Sequence, residues 1–517
     1  MFLDLLIVAA YFSIVFIAAI RGKLGKDATA EEYFLNSRSL KWPSIAISTI
    51  ATNIQGYQFL GMMGSAYLFG LAQANLEINA ITGLWMAAFI FVPLYLKDKC
   101  ITITQFIKKR LGPHVALAYS GANLLLFSTL GLGAALFWGA YAADLVFGDI
   151  LALLSQDRMT RIAILIVFLG VFSAIYTYFG GLGAVVRTDL IQFGILFFGG
   201  VIVMFLAVYH LGGWGQLYKQ TPDLMHLHLP ADHDKLPWIG IVGMILLNIN
   251  YWGANQTVIQ RSLAAKSLKE AQKGLMVGGL LKVVMAVIII VPGIALAGIL
   301  GDNPLNEPDQ TFPYLVTEYL PEGLRGVILC ALFASLMSTV DSLFNSLSTL
   351  WSIDIYKTYI NKSGTDRQVV AAGRNTILVT LVTGVLTGFL LLYVKLENPE
   401  QAFTHVLNEF NYYIKSGIAA LISVAVFLLA PKHRLTLFAF LFTVPLHIII
   451  KYYVPEMNYF VRSSIVILIA FAIVAIPSLI ENGIISRKAF IEYSSKQLAR
   501  AGGALVVLLV VLHIVFH

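Results

Sequence analysis

Long apolar segments, each about the length of one membrane crossing, recur along almost the whole of this 517-residue chain. A bilayer core about 30 Å thick is crossed by a helix of roughly 20 mostly apolar residues. Fourteen segments have that length, at residues 2–20, 43–67, 75–96, 115–147, 160–178, 188–211, 236–257, 274–300, 322–356, 373–394, 404–430, 435–451, 463–480 and 501–516. The sequence therefore predicts an all-α polytopic membrane protein with about fourteen transmembrane helices.

The composition agrees with lipid as the surrounding solvent. Only 12% of the residues are charged and 58% are hydrophobic, whereas a soluble domain carries about 25% charge. The net charge of +7 would suit a nucleic-acid partner, but the basic residues lie in short loops between apolar segments, which argues against one. Cys100 and Cys330 are too far apart in sequence to indicate a disulfide framework or a metal site. The first apolar run lacks the basic start and the cleavage site of a signal peptide, so we expect a retained helix.

The basic residues orient the chain. Alternate loops hold 25 of the 35 lysines and arginines, and the intervening loops hold eight. Cytoplasmic loops are enriched in these residues, so we predict a multi-pass protein of the cell membrane with both termini outside. One of the basic loops is formed by Arg261, Lys266, Lys269 and Lys273. The external loop contains His226, His228 and His233, which we interpret as a solvated loop rather than a metal site.

Two apolar segments are interrupted by polar clusters at similar depths. The second segment contains Asn, Gln and Gly between Ala51 and Gln58, and the seventh contains them between Asn248 and Gln256. Interrupted helices in matching positions of two halves indicate a transporter binding site, because unwound backbone frees carbonyls that can bind a cation. The alternative is that small and amide residues hold neighbouring helices together. The paired placement favours the binding site.

The ninth segment carries hydroxyl groups and a carboxylate at helical spacing: Ser335, Ser338, Thr339, Asp341 and Ser342. Residues three or four apart share a helix face. Oxygen ligands suit a hard cation, and soft ligands are missing from the set. Hydroxyl groups also serve as packing contacts, but the carboxylate favours an ion site.

These segments resemble the sodium:solute symporter family, and within it the sodium/glucose and galactose branch. The resemblance follows the chain in order and spacing, and it rests on four stretches: Asn53–Met62, Phe179–Gln192, Tyr251–Lys282 and Ala331–Tyr356. It implies a LeuT-type core of two inverted five-helix repeats, at 43–211 and 236–430. A first helix and cytoplasmic loop (1–42) precede the core, an external loop (212–235) separates the repeats, and three helices (431–517) follow.

The resemblance also implies a sodium site. In the family this site uses backbone carbonyls of the second segment and carbonyl and hydroxyl oxygens of the ninth, which here correspond to Ala51, Ile54, Ser335, Ser338 and Thr339. Some relatives hold a second sodium ion at positions that match Asp189, Ser338, Asp341 and Ser342. Asp341 replaces a serine or threonine of those relatives. A carboxylate there is either a stronger ligand or a proton-linked group, so the number of sodium ions per cycle stays open.

The solute of the sugar branch is held by residues that match Gln58, Glu77, Asn248 and Lys282, with Asn408 in place of a glutamine. Tyr251 matches the aromatic residue that stacks on the sugar and forms the gate, together with Trp252 and Met62. The chain departs from the galactose pattern at Gln55 and Ala80, and Lys415 has no counterpart in that pattern. The identity of the sugar and the role of Lys415 therefore stay open.

From these observations we expect a sodium-coupled symporter of a sugar or polyol, with sodium ions, a small solute and membrane lipid as its partners. Symport of myo-inositol, sialic acid or another carboxylate is the alternative. A buried acid requires an arginine fork or a helix N-terminus, and the apolar segments contain no arginine at their centres. An enzyme or an ion channel is less favoured, since neither a catalytic set nor a filter repeat is apparent. Oligomeric state stays open.

Overall fold

The computed structural model of the protein describes residues 2–25, 27–54, 58–305, 307–397, 403–482 and 491–517, with only the backbone described at 403–406. Within these ranges the regular structure is helical apart from two isolated bridges, Leu40 with Ala265 and Leu229 with Pro237. The all-α prediction is confirmed for the described residues.

The first half of the chain contains twelve α-helices within the described ranges. They are α1 (Phe2–Ile20), α2 (Ala30–Leu35), α3 (Trp42–Asn53), α4 (Met63–Phe69), α5 (Asn75–Ile78), α6 (Ala80–Met86), α7 (Val92–Lys97), α8 (Ile103–Leu111), α9 (Pro113–Leu126), α10 (Leu132–Leu151), α11 (Arg158–Leu211) and α12 (Trp214–Gln220). Short π-helical stretches at Gln58–Met62, Ala87–Phe91 and Phe127–Gly131 join neighbouring helices.

The second half contains ten more α-helices in the described part of the chain. They are α13 (Gly240–Gly253), α14 (Gln256–Leu263), α15 (Leu268–Leu300), α16 (Thr311–Tyr319), α17 (Leu324–Thr349), α18 (Asp366–Glu397), α19 (Phe403–Phe427), α20 (His433–Tyr453), α21 (Tyr459–Asn482) and α22 (Lys496–Val515). A π-helical stretch, Leu350–Ile360, continues α17.

Eleven helical segments among the described residues are long and apolar enough to cross a membrane. Three features separate this number from the fourteen predicted crossings. The second half of the predicted span 43–67 and the whole of the span 75–96 lie in one segment, Gln58–Lys97. The predicted spans 160–178 and 188–211 both lie in α11, which has 54 residues and is about 80 Å long at 1.5 Å per residue. The predicted span 236–257 contains α13, which has 14 residues. The chain is a multi-pass membrane protein, and the number of crossings stays a prediction.

Two helices meet within α11 at Gly181. Its backbone angles, φ 53° and ψ −148°, are not helical and belong to a region that L-amino acids rarely adopt. A Cβ atom at this position would lie 2.3 Å from the carbonyl oxygen of Tyr33. The Tyr33 hydroxyl in turn donates to the carbonyls of Thr177, at 3.2 Å, and Tyr178, at 3.0 Å. Glycine therefore allows α2 to pack against the bend.

The helical path breaks at both predicted polar clusters. Helix α3 ends at Asn53, and Ile54 is extended with φ −81° and ψ 105°. Gln55, one of the departures from the galactose pattern, lies outside the described residues. Helix α13 ends at Gly253, and the Asn255 side chain caps α14 by accepting the backbone N–H of Thr257 at 3.0 Å.

Helix α17 lies at the centre of the bundle. Every residue from Ile328 to Thr349 is buried, and the helix packs against α1, α3, α10, α11 and α18. Because a helix buried on all sides has no contact with bulk water, its hydroxyl groups depend on partners in the interior, either protein groups or ordered water.

Candidate substrate cavity and cation site

A cavity of about 800 Å³ lies between α4, α6, α13, α15 and α19. Each residue predicted to hold or gate the solute lines it: Gln58, Met62, Glu77, Asn248, Tyr251, Trp252, Lys282 and Asn408. Ala80, a departure from the galactose pattern, lines it as well. The fold thus brings together in one cavity residues that are up to 350 positions apart in sequence.

Five polar side chains form a linked network at this cavity. The ammonium of Lys282 forms an ion pair with Glu77 and donates to Asn53 Oδ1. Gln58 Nε2 donates to the other oxygen of Glu77 at 2.8 Å, and Asn53 Nδ2 donates to the hydroxyl of Tyr251 at 2.8 Å. A fixed set of donors and acceptors of this kind suits a hydroxyl-rich ligand.

Asn248 and Trp252 are positioned by each other and by α6. Asn248 Nδ2 donates to the backbone carbonyl of Asn79 at 3.0 Å, and its Oδ1 accepts the Trp252 indole N–H at 3.2 Å. A Cβ atom on Gly83 would lie 2.4 Å from the Trp252 ring. The absence of a side chain at Gly83 therefore permits this contact between α6 and α13.

Helix α19 contributes Asn408, Asn411 and Lys415 to the cavity wall. The Lys415 ammonium lies 5.8 Å from the centre of the Tyr412 ring. Asp341, one acid with which Lys415 could have paired, instead accepts the hydroxyl of Tyr176 at 2.6 Å.

The cavity reaches loops that the charge pattern places outside. Lys235 lines the cavity, as do Glu307 and Asp309 of the connection between α15 and α16. Burial raises the pKa of the Asp309 carboxyl above its ordinary value, and the charge of nearby Lys395 opposes this shift.

Three of the five residues predicted for the sodium site meet where α3 breaks: Ile54, Ser335 and Thr339. Ser335 Oγ donates to the Ile54 carbonyl at 2.8 Å, and Thr339 Oγ1 donates to the Thr52 carbonyl at 3.3 Å. Ala51 is buried in the last turn of α3, and Ser338 Oγ donates to Asp189. Hydroxyl and carbonyl oxygens therefore converge at the break, which is the ligand set that a hard cation prefers.

Arg261 is one of the basic residues that the charge count placed wrongly. We assigned it to a cytoplasmic loop, but it lies in α14 and is fully buried. Its guanidinium forms an ion pair with Asp189 at 3.3 Å and donates to Ser48 at 3.0 Å, to Thr52 at 2.8 Å and to Ser342. The signal that could have revealed it is the specific stretch Tyr251–Lys282, which includes this arginine.

The four residues predicted for a second sodium ion fall into two groups. Asp189, Ser338 and Ser342 surround Arg261 or its ion-pair partner. Asp341 faces α11 instead, where Tyr176 and, at 3.4 Å, the Thr188 hydroxyl donate to one of its oxygens.

The external histidines are also divided. His228 Nε2 lies 3.0 Å from His513 Nδ1 of α22, and His226 Nδ1 lies 2.7 Å from the backbone oxygen of His517. His233 contacts the Phe69 ring instead.

A solved structure with this architecture identifies the fold. It is that of a Na⁺-coupled sialic acid symporter in a substrate-bound outward-open state, with a TM-score of 0.78 at 19% identity. The match covers 92% of this chain and 97% of that one. The chain therefore has the LeuT-type transporter fold.

Sequence comparison gives the family. The model of the sodium:solute symporter family matches residues 33–433, and the chain belongs to that family. A sodium/glucose cotransporter of Vibrio parahaemolyticus is 29% identical over 508 residues, covering 92% of this chain and 90% of that protein. A sodium/myo-inositol cotransporter of Homo sapiens is 27% identical over 470 residues, covering 82% of this chain and 63% of that protein. Membership implies an organic solute with sodium as the coupling ion.

Proposed function

We propose that the protein is a sodium-coupled symporter that carries a sugar or polyol into the cell. The observation that carries this proposal is the linked network of Gln58, Glu77 and Lys282 in one cavity, beside the break in α3. These groups offer donors and acceptors at fixed positions, as a ligand with several hydroxyl groups requires. Tyr251 and Asn248 complete the wall, and Asn408 faces it from α19.

The membrane topology that we propose has fourteen crossings. The broken helices count as one crossing each, and α11 counts as two because it bends at Gly181. The inverted repeats would then span 43–211 and 236–430, with both termini outside. The 25-to-8 division of basic residues between alternate loops supports this orientation.

We place the coupling sodium ion between α3 and α17, with the carbonyls of Ala51 and Ile54 and the oxygens of Ser335, Ser338 and Thr339 as its ligands. The contact of Ser335 with the Ile54 carbonyl supports this placement, because it brings the two elements within ligand distance of each other. A sodium ion there would stabilise the broken helix next to Gln58.

Alternating access follows from this arrangement. The cavity reaches the loops at Lys235 and Asp309, so sodium and solute enter from that side and leave inward after the repeats move. One sodium ion crossing about 100 mV provides about 2.3 kcal/mol, and a tenfold gradient adds about 1.4 kcal/mol. One ion therefore supports roughly 500-fold accumulation of the solute.

A solute that carries a carboxylate is the second candidate. The Lys415 ammonium on the cavity wall favours it, because Lys282 already has Glu77 as its counter-charge. Lys415→Met should then weaken transport of an acid and spare a neutral sugar.

Uptake into proteoliposomes tests the proposal. We expect an inward sodium gradient, but not an equal potassium gradient, to drive accumulation of labelled galactose, glucose or myo-inositol. Accumulation of sialic acid alone would select the second candidate. Uptake that is equal in sodium and potassium would refute sodium coupling.

The variant Ser338→Ala tests the ion site. Loss of a polar group that faces a charge costs about 1.5–3 kcal/mol, so we expect the sodium concentration for half-maximal uptake to rise about ten- to a hundredfold. Ser346→Ala is the matched control, since that hydroxyl lies on the same helix and bonds to Gln260 at 3.3 Å. An unchanged sodium dependence in Ser338→Ala would refute the assignment.

A further inference from the structure

Helix α17 carries two polar stripes, and the first is fully bonded. This bonded stripe consists of Ser335, Ser338, Thr339, Ser342, Ser346 and Thr349, and it faces α3, α14 and Asp189 of α11. Each of its hydroxyls has a partner: the carbonyls of Ile54 and Thr52, the carboxylate of Asp189, the guanidinium of Arg261 and the amide of Gln260. Its chemistry is accounted for by the cation site and by helix packing.

The second stripe consists of Asp341, Asn345, Ser348 and Ser352, and we call it the unbonded stripe. Asp341, Asn345 and Ser348 are four and three positions apart on α17, so they share another face of the helix. Ser352 follows in the π-helical stretch, and both serine hydroxyls face Gly373 of α18. All four are fully buried. Among the described residues, Asp341 Oδ1, both polar atoms of the Asn345 amide, and the hydroxyls of Ser348 and Ser352 have no hydrogen-bond partner.

Ordinary helix packing does not explain the unbonded stripe. A buried serine in a helix commonly donates to the carbonyl four residues earlier, as Thr349 does to Asn345 at 2.7 Å. Ser348 and Ser352 make no such bond. Leaving five buried polar atoms dry would cost a free energy comparable to the stability of an entire folded protein. Buried polar groups without protein partners are satisfied by water or an ion.

The unbonded stripe has a direction. It begins at Asp341, beside Tyr176 and Thr188 of α11, and extends about 16 Å at 1.5 Å per residue to Ser352. Gly373 of α18 lies opposite its far end, where a Cβ atom would lie 2.5 Å from Ser348 Oγ and 2.9 Å from Ser352 Oγ. Beyond Ser352 the π-helical stretch continues through Lys357 to Ile360, and the loop with Lys362 follows. The charge pattern places both lysines on the cytoplasmic side.

We propose that the unbonded stripe lines a narrow hydrated seam between α17 and helices α11 and α18, through which a monovalent cation passes between Asp341 and the cytoplasmic side. Carboxylate, amide and hydroxyl oxygens replace the hydration of such an ion step by step. The seam is separate from the solute cavity, whose lining includes Thr339 and Leu343 of α17 but none of the four stripe residues. The inference rests on the proposed function in one respect, which is that the cation in the seam is identified with the sodium ion that drives symport.

Silver ions test the seam, because Ag⁺ is a small monovalent cation that binds thiols. Cys100 and Cys330 are first replaced by alanine. Single cysteines are then introduced by Ser348→Cys and Ser352→Cys, with Ser346→Cys and Thr349→Cys on the bonded stripe as matched controls. The purified protein is exposed to Ag⁺ and denatured, and thiols that remain free are counted by their reaction with a maleimide.

We expect Ag⁺ to protect the thiols at 348 and 352 at least about tenfold faster than those at 346 and 349, since hydrated positions need no local opening. Equal rates on both stripes would mean that ions enter by a shared route and would overturn the separate seam. Absence of protection at 348 and 352 would mean that the seam is dry. Thiol protection needs no transport, so failure of the seam and failure of the proposed function are distinguishable.

Discussion

Replacing Glu77 by glutamine removes the counter-charge of the buried Lys282 ammonium. Together with a change at Lys282, it distinguishes the contribution of this ion pair to stability from its contribution to solute binding. The side chains of Glu77 and Lys282 are only 4% and 2% exposed. Removing one partner of such a pair costs about 3–5 kcal/mol, because the remaining charge is left uncompensated in a medium of low polarity. Glu77→Gln and Lys282→Met should therefore each destabilise the protein by this amount.

The double variant Glu77→Gln/Lys282→Met should recover most of that stability. Both charges are then absent, and replacing a buried ion pair by neutral groups of similar volume is often neutral or stabilising. Binding should not recover, since the ammonium and the carboxylate that would contact the solute are gone. The two single variants and the double variant form a double-mutant cycle, which is measured once for stability and once for sugar affinity.

The first readout is the temperature at which purified protein in detergent loses its monodisperse peak, measured for the three variants and the unaltered chain. The second is the affinity for the transported sugar. A double variant less stable than either single variant would refute the charge argument. A double variant with unchanged sugar affinity would remove the pair from the binding site.

Two further predictions concern residues that sequence reasoning did not single out. Gly181→Ala should abolish folded protein, because the φ of 53° and the 2.3 Å distance to the Tyr33 carbonyl oxygen both exclude a Cβ atom. The control is Gly194→Ala, whose added Cβ atom would meet no atom within 4 Å. Equal yields of the two variants on gel filtration would contradict the prediction. Arg261→Met should lower the stability of the protein by about 3–5 kcal/mol, because it leaves Asp189 without its cation. The double variant Arg261→Met/Asp189→Asn should recover most of that stability, measured by the same heating assay. Equal instability of the single and the double variant would refute the ion pair as the cause.

The membrane-crossing segments were predictable because lipid imposes one simple requirement. A crossing needs about 20 apolar residues, and this requirement located α1, α15, α18, α20 and α21 to within a few residues or a turn or two. It could not locate α14, which is short and polar and lies buried among other helices. Length and hydropathy identify helices that meet lipid, and they miss helices whose neighbours are protein.

The cavity residues were predictable from the resemblance, but their contacts were not. Gln58 and Glu77 are 19 positions apart, and Lys282 is 205 positions from Glu77. No local pattern relates such residues to each other. The structure adds Asn53, which joins Lys282 to Tyr251 and which we had noted only as a helix-breaking amide.

Arg261 escaped prediction because loop assignments treat every basic residue near the cytoplasm as solvated. Its cost of burial is met by one carboxylate and three hydroxyl oxygens from three other helices. Such compensation depends on tertiary structure, so a charge count cannot reveal it. The argument against a carboxylate solute assumed that no arginine lies within the bundle, and the burial of Arg261 shows that this assumption was wrong. Arg261 already forms an ion pair with Asp189, so it has a counter-charge within the protein.

The position of Arg261 bears on how many cations the protein binds. Buried charges require counter-charges, and the guanidinium supplies one for Asp189. Asp341 lies on the neighbouring face of α17 and has only neutral hydroxyl donors among the described residues. The region around Arg261 therefore contains two carboxylates and one fixed cation. One additional monovalent cation, either a sodium ion or a proton, would make it neutral. The relatives with serine or threonine in place of Asp341 hold their second sodium ion without this carboxylate. Because Asp341→Ser removes one of the two carboxylates, charge balance predicts fewer sodium ions per solute, measured as the ratio of sodium flux to solute flux in proteoliposomes. An unchanged or a higher ratio would refute the argument from charge balance.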